Sequence, residues 1–395
     1  MVIHNMETPL ALGDRLGANT RREALMTSTP QRALSFFAGG ADFATLSEIV
    51  EVARAGLASD VRDFLDGGAG REVTLGRNRD AFERWAYRPR VMTGLGVPDV
   101  ATSFLGIGLG LPVLTAPFGA DGLFHPEGHC AVARANAAEG AVSIVPEGGS
   151  HAMEAVAAAA PVAARIAQLH PMGDPANFAA MLGRIEDAGY DAVCVTVDCP
   201  TAGWREGNRR NRFDPDPAVI SGNYPAGGPV ALEEVFGQLF TRTEPVWTWA
   251  QLGERMAATR LPWMAKGVLT AEAASAAVDA GASAVLVSNH GGRQLDGTPA
   301  ALDQLPEIAA AVGGRAQIAL DSGIRSGSDV VTALALGADA VVIGRLAAYG
   351  LAAAGEAGVR RVHQLVREEM QTILTLLGVG SVRDLGPEFL QKVQP

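Results

Sequence analysis

Several features that direct interpretation toward other protein classes are scarce in this sequence. Only three cysteines occur among 395 residues, with no C-x-x-C pair and no metal-like grouping with histidine. A sparse, odd count indicates a reducing compartment and a chain that disulfides do not hold together. No apolar run reaches about 18 uninterrupted residues, and the N-terminus lacks a signal-peptide core. We therefore expect a cytoplasmic protein without a membrane span.

Basic surface is scarce as well. The formal net charge is −11, from 32 basic and 43 acidic residues, and the Lys and Arg residues form no cluster with interleaved aromatics. Nucleic acid is therefore not an expected partner. Hydrophobic residues make up 48% of the chain, which is enough to bury a substantial core. This composition excludes intrinsic disorder for most of the chain.

The chain divides into a short extension and one large domain. Residues 1–42 show no clear periodicity, and we expect a poorly ordered N-terminal extension there. Residues 43–390 are predicted to form a single domain that starts with helices. Apolar residues recur at helical spacing over residues 45–53 and again through Val61, Phe64 and Leu65, where the glycines of residues 67–70 end the second helix. A third helix is predicted over residues 74–85.

Short apolar segments then alternate with Ala-rich helical stretches. Eight such segments are predicted as strands: residues 112–116, 141–145, 164–169, 192–197, 262–266, 284–287, 316–320 and 340–343. Near-continuous apolar strands that alternate with helices indicate a parallel sheet covered on both faces. Eight units favour an α/β fold of the closed (β/α)8 TIM barrel type over an open doubly wound sheet. The long segment 214–246 after the fourth strand is predicted to be an active-site lid or flexible loop.

Polar and charged residues follow nearly every predicted strand. They include Gln168 and His170, Asp198, Lys266, His290 and Arg293, Asp321 and Arg325, and Gly344 and Arg345. Barrel enzymes carry their chemistry at this carboxyl rim, so the concentration favours an enzyme. Taken alone, the stretch around His290 and Arg293 also fits a capped strand end with a surface arginine. With the rim considered, it predicts a proton acceptor beside a planar cation.

The last two strand ends predict a phosphate site. The sequences D-S-G-I-R from Asp321 and G-R from Gly344 each open a predicted helix. Backbone amides at helix N-termini, together with two guanidinium groups, form a cradle for phosphate. Lys266 would lie deeper in the barrel, where a cation stabilises negative charge developing on a ring. Phosphate on one side and a cation at the barrel mouth suggest flavin mononucleotide (FMN).

Several motifs in order resemble the FMN-dependent α-hydroxy-acid oxidase and dehydrogenase family over about residues 43–390. These motifs are S-N-H-G-G-R-Q-L-D from Ser288, T-L-G-R-N-R-D-A-F-E-R-W from Thr74, H-P-E-G from His125, T-V-D-C-P from Thr196, W-R-E-G-N-R-R-N-R-F from Trp204, K-G-V from Lys266, D-S-G-I-R from Asp321 and I-G-R from Ile343. The resemblance implies an FMN-containing barrel and a homo-oligomer, a tetramer or larger.

The resemblance also implies roles for individual residues. His290 matches the active-site base and Asp198 its partner, while Arg293 and Arg205 match residues that clamp a substrate carboxylate. Whether the base removes the hydroxyl proton or the α-proton stays open. The residues implied to bind FMN are Gly119, Gln168, Thr196, Lys266, Ser288, Asp321, Gly323, Arg325, Gly344 and Arg345. No metal is implied.

Three positions depart from the family pattern. Phe64 and His170 stand where the family has active-site tyrosines, and Gly148 opens space after the second strand, where Pro146 replaces a serine-rich context. His170 is a candidate for a second acid or base, and a packing role fits equally well. Glu147 fits an exposed loop position better than the pocket wall. These changes predict a larger or differently polar substrate.

The predicted activity is FMN-dependent oxidation of a 2-hydroxy acid to the 2-oxo product, with His290 as base. One alternative is a flavin enzyme of specialised metabolism that acts on an amine or a bulky intermediate. A second is a non-redox barrel that uses the phosphate site for a sugar phosphate. A binding protein without catalysis is disfavoured, because the base, carboxylate and arginine set would then have no task.

Overall fold

The computed structural model describes residues 43–237, 239 and 246–393. Residues Thr45–Pro395 form one compact unit. The extension predicted for residues 1–42 lies outside the described residues. Across the described part of the chain, no helix is both long and apolar enough to cross a membrane.

From residue 43 onward, three helices and a short strand come before a hairpin and the barrel. Helices α1 (Leu46–Gly56), α2 (Ser59–Asp66) and α3 (Val73–Glu83) lie where periodicity predicts them. Thr45 caps α1 by accepting a hydrogen bond from the Glu48 amide at 3.2 Å. The third helix ends earlier than predicted, because β1 (Trp85–Tyr87) pairs antiparallel with the last strand, Leu390–Lys392. That partner is distant in sequence, so local periodicity could not reveal it.

The eight predicted strands close into a parallel barrel. A hairpin of β2 (Thr102–Phe104) and β3 (Ile107–Leu109) comes first. The barrel strands are β4 (Val113–Thr115), β5 (Val142–Val145), β6 (Arg165–Leu169), β7 (Ala192–Thr196), β8 (Trp263–Val268), β9 (Ala284–Val287), β10 (Gln317–Leu320) and β11 (Ala340–Ile343). Around the ring they follow chain order, and β11 pairs with β4 to close it. The TIM-barrel prediction is confirmed.

Helices follow the barrel strands and surround them. They are α4 (Gly128–Glu139), α5 (Met153–Ala159), α6 (Pro175–Asp187), α7 (Glu206–Asn211), α8 (Leu232–Phe236), α9 (Trp249–Met256), α10 (Ala271–Asp279), α11 (Ala301–Val312), α12 (Gly327–Ala335) and α13 (Arg345–Leu377). Helix α13 is interrupted at Ala354 and Gly355. The C-terminal strand Leu390–Lys392 is β12.

The barrel interior is packed with apolar side chains. One buried cluster takes residues from all eight strands, Leu114, Ile144, Ile166, Cys194, Met264, Leu286, Ala319 and Val342 among them. Phe104, Ile107 and Leu109 of the hairpin belong to the same cluster, so the barrel is filled rather than open as a pore. Space for a ligand is therefore to be sought at the carboxyl ends of the strands.

Candidate active site

A large cavity lies at the carboxyl ends of the barrel strands. Its volume is about 1190 Å³, which exceeds the roughly 300–1,000 Å³ of a typical ligand pocket and leaves room for a cofactor and a substrate together. The predicted site residues that line it are Phe64, Gly119, Gly148, Gln168, His170, Thr196, Arg205, Lys266, His290, Arg293, Asp321, Gly323, Arg325, Gly344 and Arg345. Asp198 and Ser288 stand behind this lining.

His290 is held by a carboxylate and by its own backbone turn. Its Nδ1 lies 3.1 Å and 3.2 Å from the two oxygens of Asp198. The residue adopts a φ of 59° at the start of the 3-10 turn His290–Gly292, a conformation that non-glycine residues adopt rarely. Ser288 Oγ accepts a hydrogen bond from the His290 amide at 3.0 Å, which helps to hold this turn. Because Nδ1 is engaged with Asp198, Nε2 is the nitrogen left for substrate.

The surroundings favour a neutral His290 and an ionised Asp198. Burial and the cation of Lys266, whose Nζ lies 3.4 Å from His290 Nδ1, lower the pKa of His290 against the opposing effect of Asp198. Burial alone would raise the pKa of Asp198, but His290, Lys266 and hydrogen bonds lower it overall. Burial likewise opposes the charge of Lys266, yet Asp198 and Asp321 raise its pKa. The site thus holds an imidazole ready to accept a proton.

Two arginines and an aromatic ring form one side of the cavity. The guanidinium of Arg293 lies 4.9 Å from the ring centre of Phe64, and that of Arg205 lies 5.9 Å away. Arg293 Nη1 donates to the carbonyls of Phe64 at 2.6 Å and Gly67 at 3.0 Å, so α2 fixes its position. Burial, Arg205 and Arg345 lower the pKa of Arg293. Neighbouring, partly buried guanidinium groups favour an anion between them.

The phosphate-binding end differs in detail from the prediction. The first amides of α12 are already bonded, because Glu369 accepts from Gly327 at 2.8 Å and from Ser328 at 3.3 Å. The N-terminus of α13, at Gly344, has no side-chain cap and faces the cavity. Burial and the nearby charge of Arg345 lower the pKa of Arg325 to about 10. An anionic phosphate at α13 would relieve this repulsion between cations.

The remaining wall suits a ring with polar edges. Lys266 lies 4.0 Å from the carboxylate of Asp321, and Gln168 and Thr196 follow the neighbouring strands. At Gly119 a β-carbon would lie 2.8 Å from the carbonyl of Gly148, so only glycine allows this close approach of backbone. A phosphorylated aromatic cofactor therefore fits the residues present: cations and an uncapped helix for its phosphate, and amide, hydroxyl and ammonium groups for its ring.

A second imidazole–carboxylate pair was missed in the sequence. Glu147 is buried, with 3% of its surface exposed, and the expectation of an exposed loop residue is wrong. Its Oε2 lies 2.9 Å from His170 Nδ1, and Tyr224 donates to its Oε1 at 2.6 Å. Ser322 was also missed; its Oγ accepts from the Asn289 and Gly291 amides beneath His290. The strand-end rule could have found Glu147 and Ser322, since both follow barrel strands.

A closed parallel barrel that carries a His–Asp pair, several arginines and an uncapped helix N-terminus at its carboxyl end is typical of flavin-dependent oxidoreductases. The sequence matches the model of the FMN-dependent dehydrogenase family over residues 53–392. The chain belongs to that family. The predicted family, FMN cofactor and oxidoreductase class are thereby confirmed.

Individual relatives resemble the chain along most of its length. L-lactate oxidase of Nostoc sp. is 40% identical over 360 residues, which cover 87% of this chain and 97% of the relative. Glycolate oxidase of Spinacia oleracea is 36% identical over 353 residues, 87% of this chain and 94% of the relative. The crystal structure of mandelate oxidase with (S)-2-phenylpropionate is 37% identical and superimposes with a TM-score of 0.80, covering 89% of this chain and 98% of the other. These matches give no support to an amine oxidase or a non-redox barrel.

Proposed function

We propose that this enzyme oxidises a 2-hydroxy acid to the 2-oxo acid at the cavity described above. The observation that carries the proposal is the His290–Asp198 pair, whose imidazole lines the same cavity as the partly buried side chains of Arg205 and Arg293. The relatives named for lactate, glycolate and mandelate support the substrate class. Bound FMN supplies the two-electron acceptor of the reaction.

The side chains divide the work between binding and proton transfer. Arg205 and Arg293 hold the substrate carboxylate, for which the guanidinium fork is suited. His290 Nε2 accepts the proton that the substrate loses, and Asp198 stabilises the imidazolium that forms. Phe64 supplies an apolar face between the arginines, without the phenolic hydroxyl of the family pattern. The resulting pocket is less polar around the carboxylate.

The cofactor is held by the opposite parts of the wall. We assign the phosphate to Arg325, Arg345 and the amides at Gly323 and Gly344. Gln168, Thr196 and Lys266 serve the ring, while Asp321 orients Lys266. Ser288 acts through the backbone of His290, and Gly119 leaves room beside the ring. The chemistry of these donors supports the assignment.

Four broader expectations stay proposals. A cytoplasmic location is supported by three free cysteines, Cys130, Cys194 and Cys199. A homo-oligomer, tetrameric or larger, rests on family resemblance. An active-site lid over residues 214–246 is supported by Pro217, Ile220 and Phe236, which line the cavity, although residues 238 and 240–245 lie outside the described part. We also propose that residues 43–390 form a single domain.

An anaerobic absorbance titration tests the function. The purified holoenzyme is mixed with glycolate, lactate, mandelate and larger 2-hydroxy acids without oxygen. We expect at least one of them to bleach the flavin band, and His290→Ala to keep its FMN while losing bleaching by a factor of at least about 100. A flavin that no 2-hydroxy acid bleaches, or normal bleaching of the His290→Ala variant, would refute the substrate class or the base respectively.

A further inference from the structure

Glu147 is surrounded by hydrogen-bond donors. This arrangement determines which ring nitrogen of His170 carries a hydrogen. Its Oε1 accepts from the Tyr224 hydroxyl, and its Oε2 accepts from the His170 backbone amide at 2.8 Å. Both oxygens accept hydrogen bonds in this arrangement, as those of a carboxylate do, and His170 Nδ1 at 2.9 Å is placed to donate to Oε2. Asn223 also donates to the Glu147 backbone carbonyl at 2.8 Å. The ring of His170 is thus fixed in orientation and tautomer.

The other ring nitrogen of His170 has no aligned partner among the described residues. Gln168 Nε2 lies 3.3 Å from Nδ1 and 3.4 Å from Nε2. An amide aligned with Nε2 would lie much farther from Nδ1, so this contact does not satisfy it. His170 lines the cavity and meets the ring of Phe236 edge-on at 5.6 Å between centroids. Nε2 is therefore a polar group on a largely apolar wall.

Around the barrel mouth this pair lies several strands away from Arg293, and Arg205, which follows β7, lies between them. Glu147 follows β5 and His170 follows β6, whereas His290 and Arg293 follow β9. In the ring order β6 and β9 are three places apart among eight strands. A substrate whose 2-carboxylate is held near Arg293 extends its side chain away from that edge, toward the sector of β5 and β6. There Gly148 adds no side chain and leaves space.

We propose that His170, positioned by Glu147 and Tyr224, recognises a second carboxylate on the substrate, so that the enzyme prefers 2-hydroxy dicarboxylic acids. This inference rests on the proposed function for the reaction and adds the side-chain specificity. A ring that donates through Nδ1 to a buried carboxylate can donate through Nε2 as an imidazolium, which matches an anionic acceptor. A substrate with an apolar side chain would leave Nε2 without a hydrogen-bond partner once water is excluded. Sites with such a buried polar group discriminate against substrates that leave it unpaired.

Binding of two unreactive ligands of similar shape tests the inference. Succinate and 4-methylpentanoate differ by a carboxylate in place of an isopropyl group, and neither carries the 2-hydroxyl that reacts. Titration calorimetry of the FMN-loaded enzyme should show succinate binding at least about 10-fold more tightly. His170→Phe should reduce that ratio at least about 10-fold, with FMN content unchanged. Equal affinities in the wild type, or an unchanged ratio in the variant, would overturn the proposal. His170→Gln replaces the Phe variant if the latter does not fold.

A positioning role for Glu147 predicts non-additive effects. Glu147→Gln should lower the succinate preference, and Glu147→Gln combined with His170→Phe should lower it no further than His170→Phe alone. Tyr224→Phe should lower it in part. Tyr190→Phe is the matched control. Tyr190 is also a buried phenol, and its hydroxyl donates to the Met153 carbonyl at 2.9 Å, outside the cavity. Additive losses in the double variant, or equal effects of Tyr224→Phe and Tyr190→Phe, contradict the assigned roles.

Turnover separates this inference from the function on which it rests. Malate and 2-hydroxy-4-methylpentanoate form the corresponding reactive pair, and we expect malate to have the higher kcat/KM in the wild type and to lose that advantage in His170→Phe. If no 2-hydroxy acid bleaches the flavin while succinate binding still depends on His170, the proposed reaction fails and the second carboxylate site stands. If both bleach it at equal kcat/KM, the reaction stands and the site fails.

Discussion

At the scale of single residues, opposing charges set the protonation of His290. Asp198 at 3.1 Å stabilises the imidazolium, while burial and Lys266 at 3.4 Å destabilise it. The net effect lowers the pKa of His290 below its ordinary 6.5. The base is consequently unprotonated at neutral pH, as proton abstraction requires. Asp198 does not make the imidazole basic overall; it fixes the ring and limits the effect of the neighbouring cation.

Asp198→Asn removes the charge that raises the pKa of His290. The rate of flavin reduction falls as the pH drops through that pKa, because a protonated ring cannot accept a proton. We expect this acidic limb to move to lower pH in the variant, and the maximal rate to fall by roughly 10- to 100-fold. Stopped-flow reduction between roughly pH 5 and 8 measures both.

The control for this prediction is Asp339→Asn. Asp339 accepts a hydrogen bond from the Ile318 amide at 2.7 Å, at the amino ends of β10 and β11 and away from the cavity. We expect the acidic limb of the reduction rate in Asp339→Asn to match that of the wild type. An acidic limb of Asp198→Asn that stays in place or moves to higher pH would show that Asp198 does not act on His290 through its charge.

At the scale of elements, what could be predicted follows from where each interaction partner lies in sequence. The eight barrel strands were predictable because each is mostly apolar and mostly buried, and the rim residues follow directly from the strand ends. The burial of Glu147 was not predictable, because its partner Tyr224 lies in a segment without periodicity. The end of α3 depended on β12, a little over 300 residues later in the chain. Long-range partners, rather than local propensity, account for the errors.

Glu369→Ala tests which helix serves the phosphate. Loss of the carboxylate frees the Gly327 and Ser328 amides at the start of α12, which should lower the free energy of unfolding by about 1–2 kcal/mol. FMN content should be unchanged, since these amides do not face the phosphate in our assignment. Arg325→Ala, in contrast, should lose FMN on gel filtration, because it removes a cation that we assign to the phosphate. Urea unfolding and the ratio of flavin to protein absorbance measure the two effects. Tighter FMN binding by Glu369→Ala would place the phosphate at α12, because the freed amides would then serve it.

At the scale of the whole molecule, a buried polar network joins the outer helices to the barrel. Asn136 of α4 donates to Thr115 of β4 and Ser143 of β5, both at 2.9 Å. His363 of α13 donates through Nε2 to Asn136 Oδ1 at 2.7 Å, since that oxygen can only accept. His363 is fully buried, and burial followed by the charge of Arg367 lowers its pKa to about 3. The ring is therefore neutral in the folded protein.

This neutral ring makes stability depend on pH. Unfolded, His363 titrates near 6.5, whereas folded it titrates near 3, so between these values the unfolded chain binds one more proton. Stability should fall as the pH drops through this window, by up to about 1.4 kcal/mol per pH unit. Asp121 also makes stability depend on pH, but mostly below the pH window of His363. Its pKa is lowered from 3.8 to about 2, as His129 and backbone amides outweigh burial, so its stabilisation is lost only below about pH 4.

His363→Gln removes the titrating group and keeps an N–H that can reach Asn136. Between pH 6 and pH 4 we expect the free energy of unfolding to fall by roughly 2–3 kcal/mol more in the wild type than in the variant, because only the wild type has the ring to protonate. Urea unfolding at several pH values across this range measures the difference. Parallel curves for the two proteins would mean that His363 accepts its proton without unfolding, and that the network around Asn136 reorganises to hold the charge.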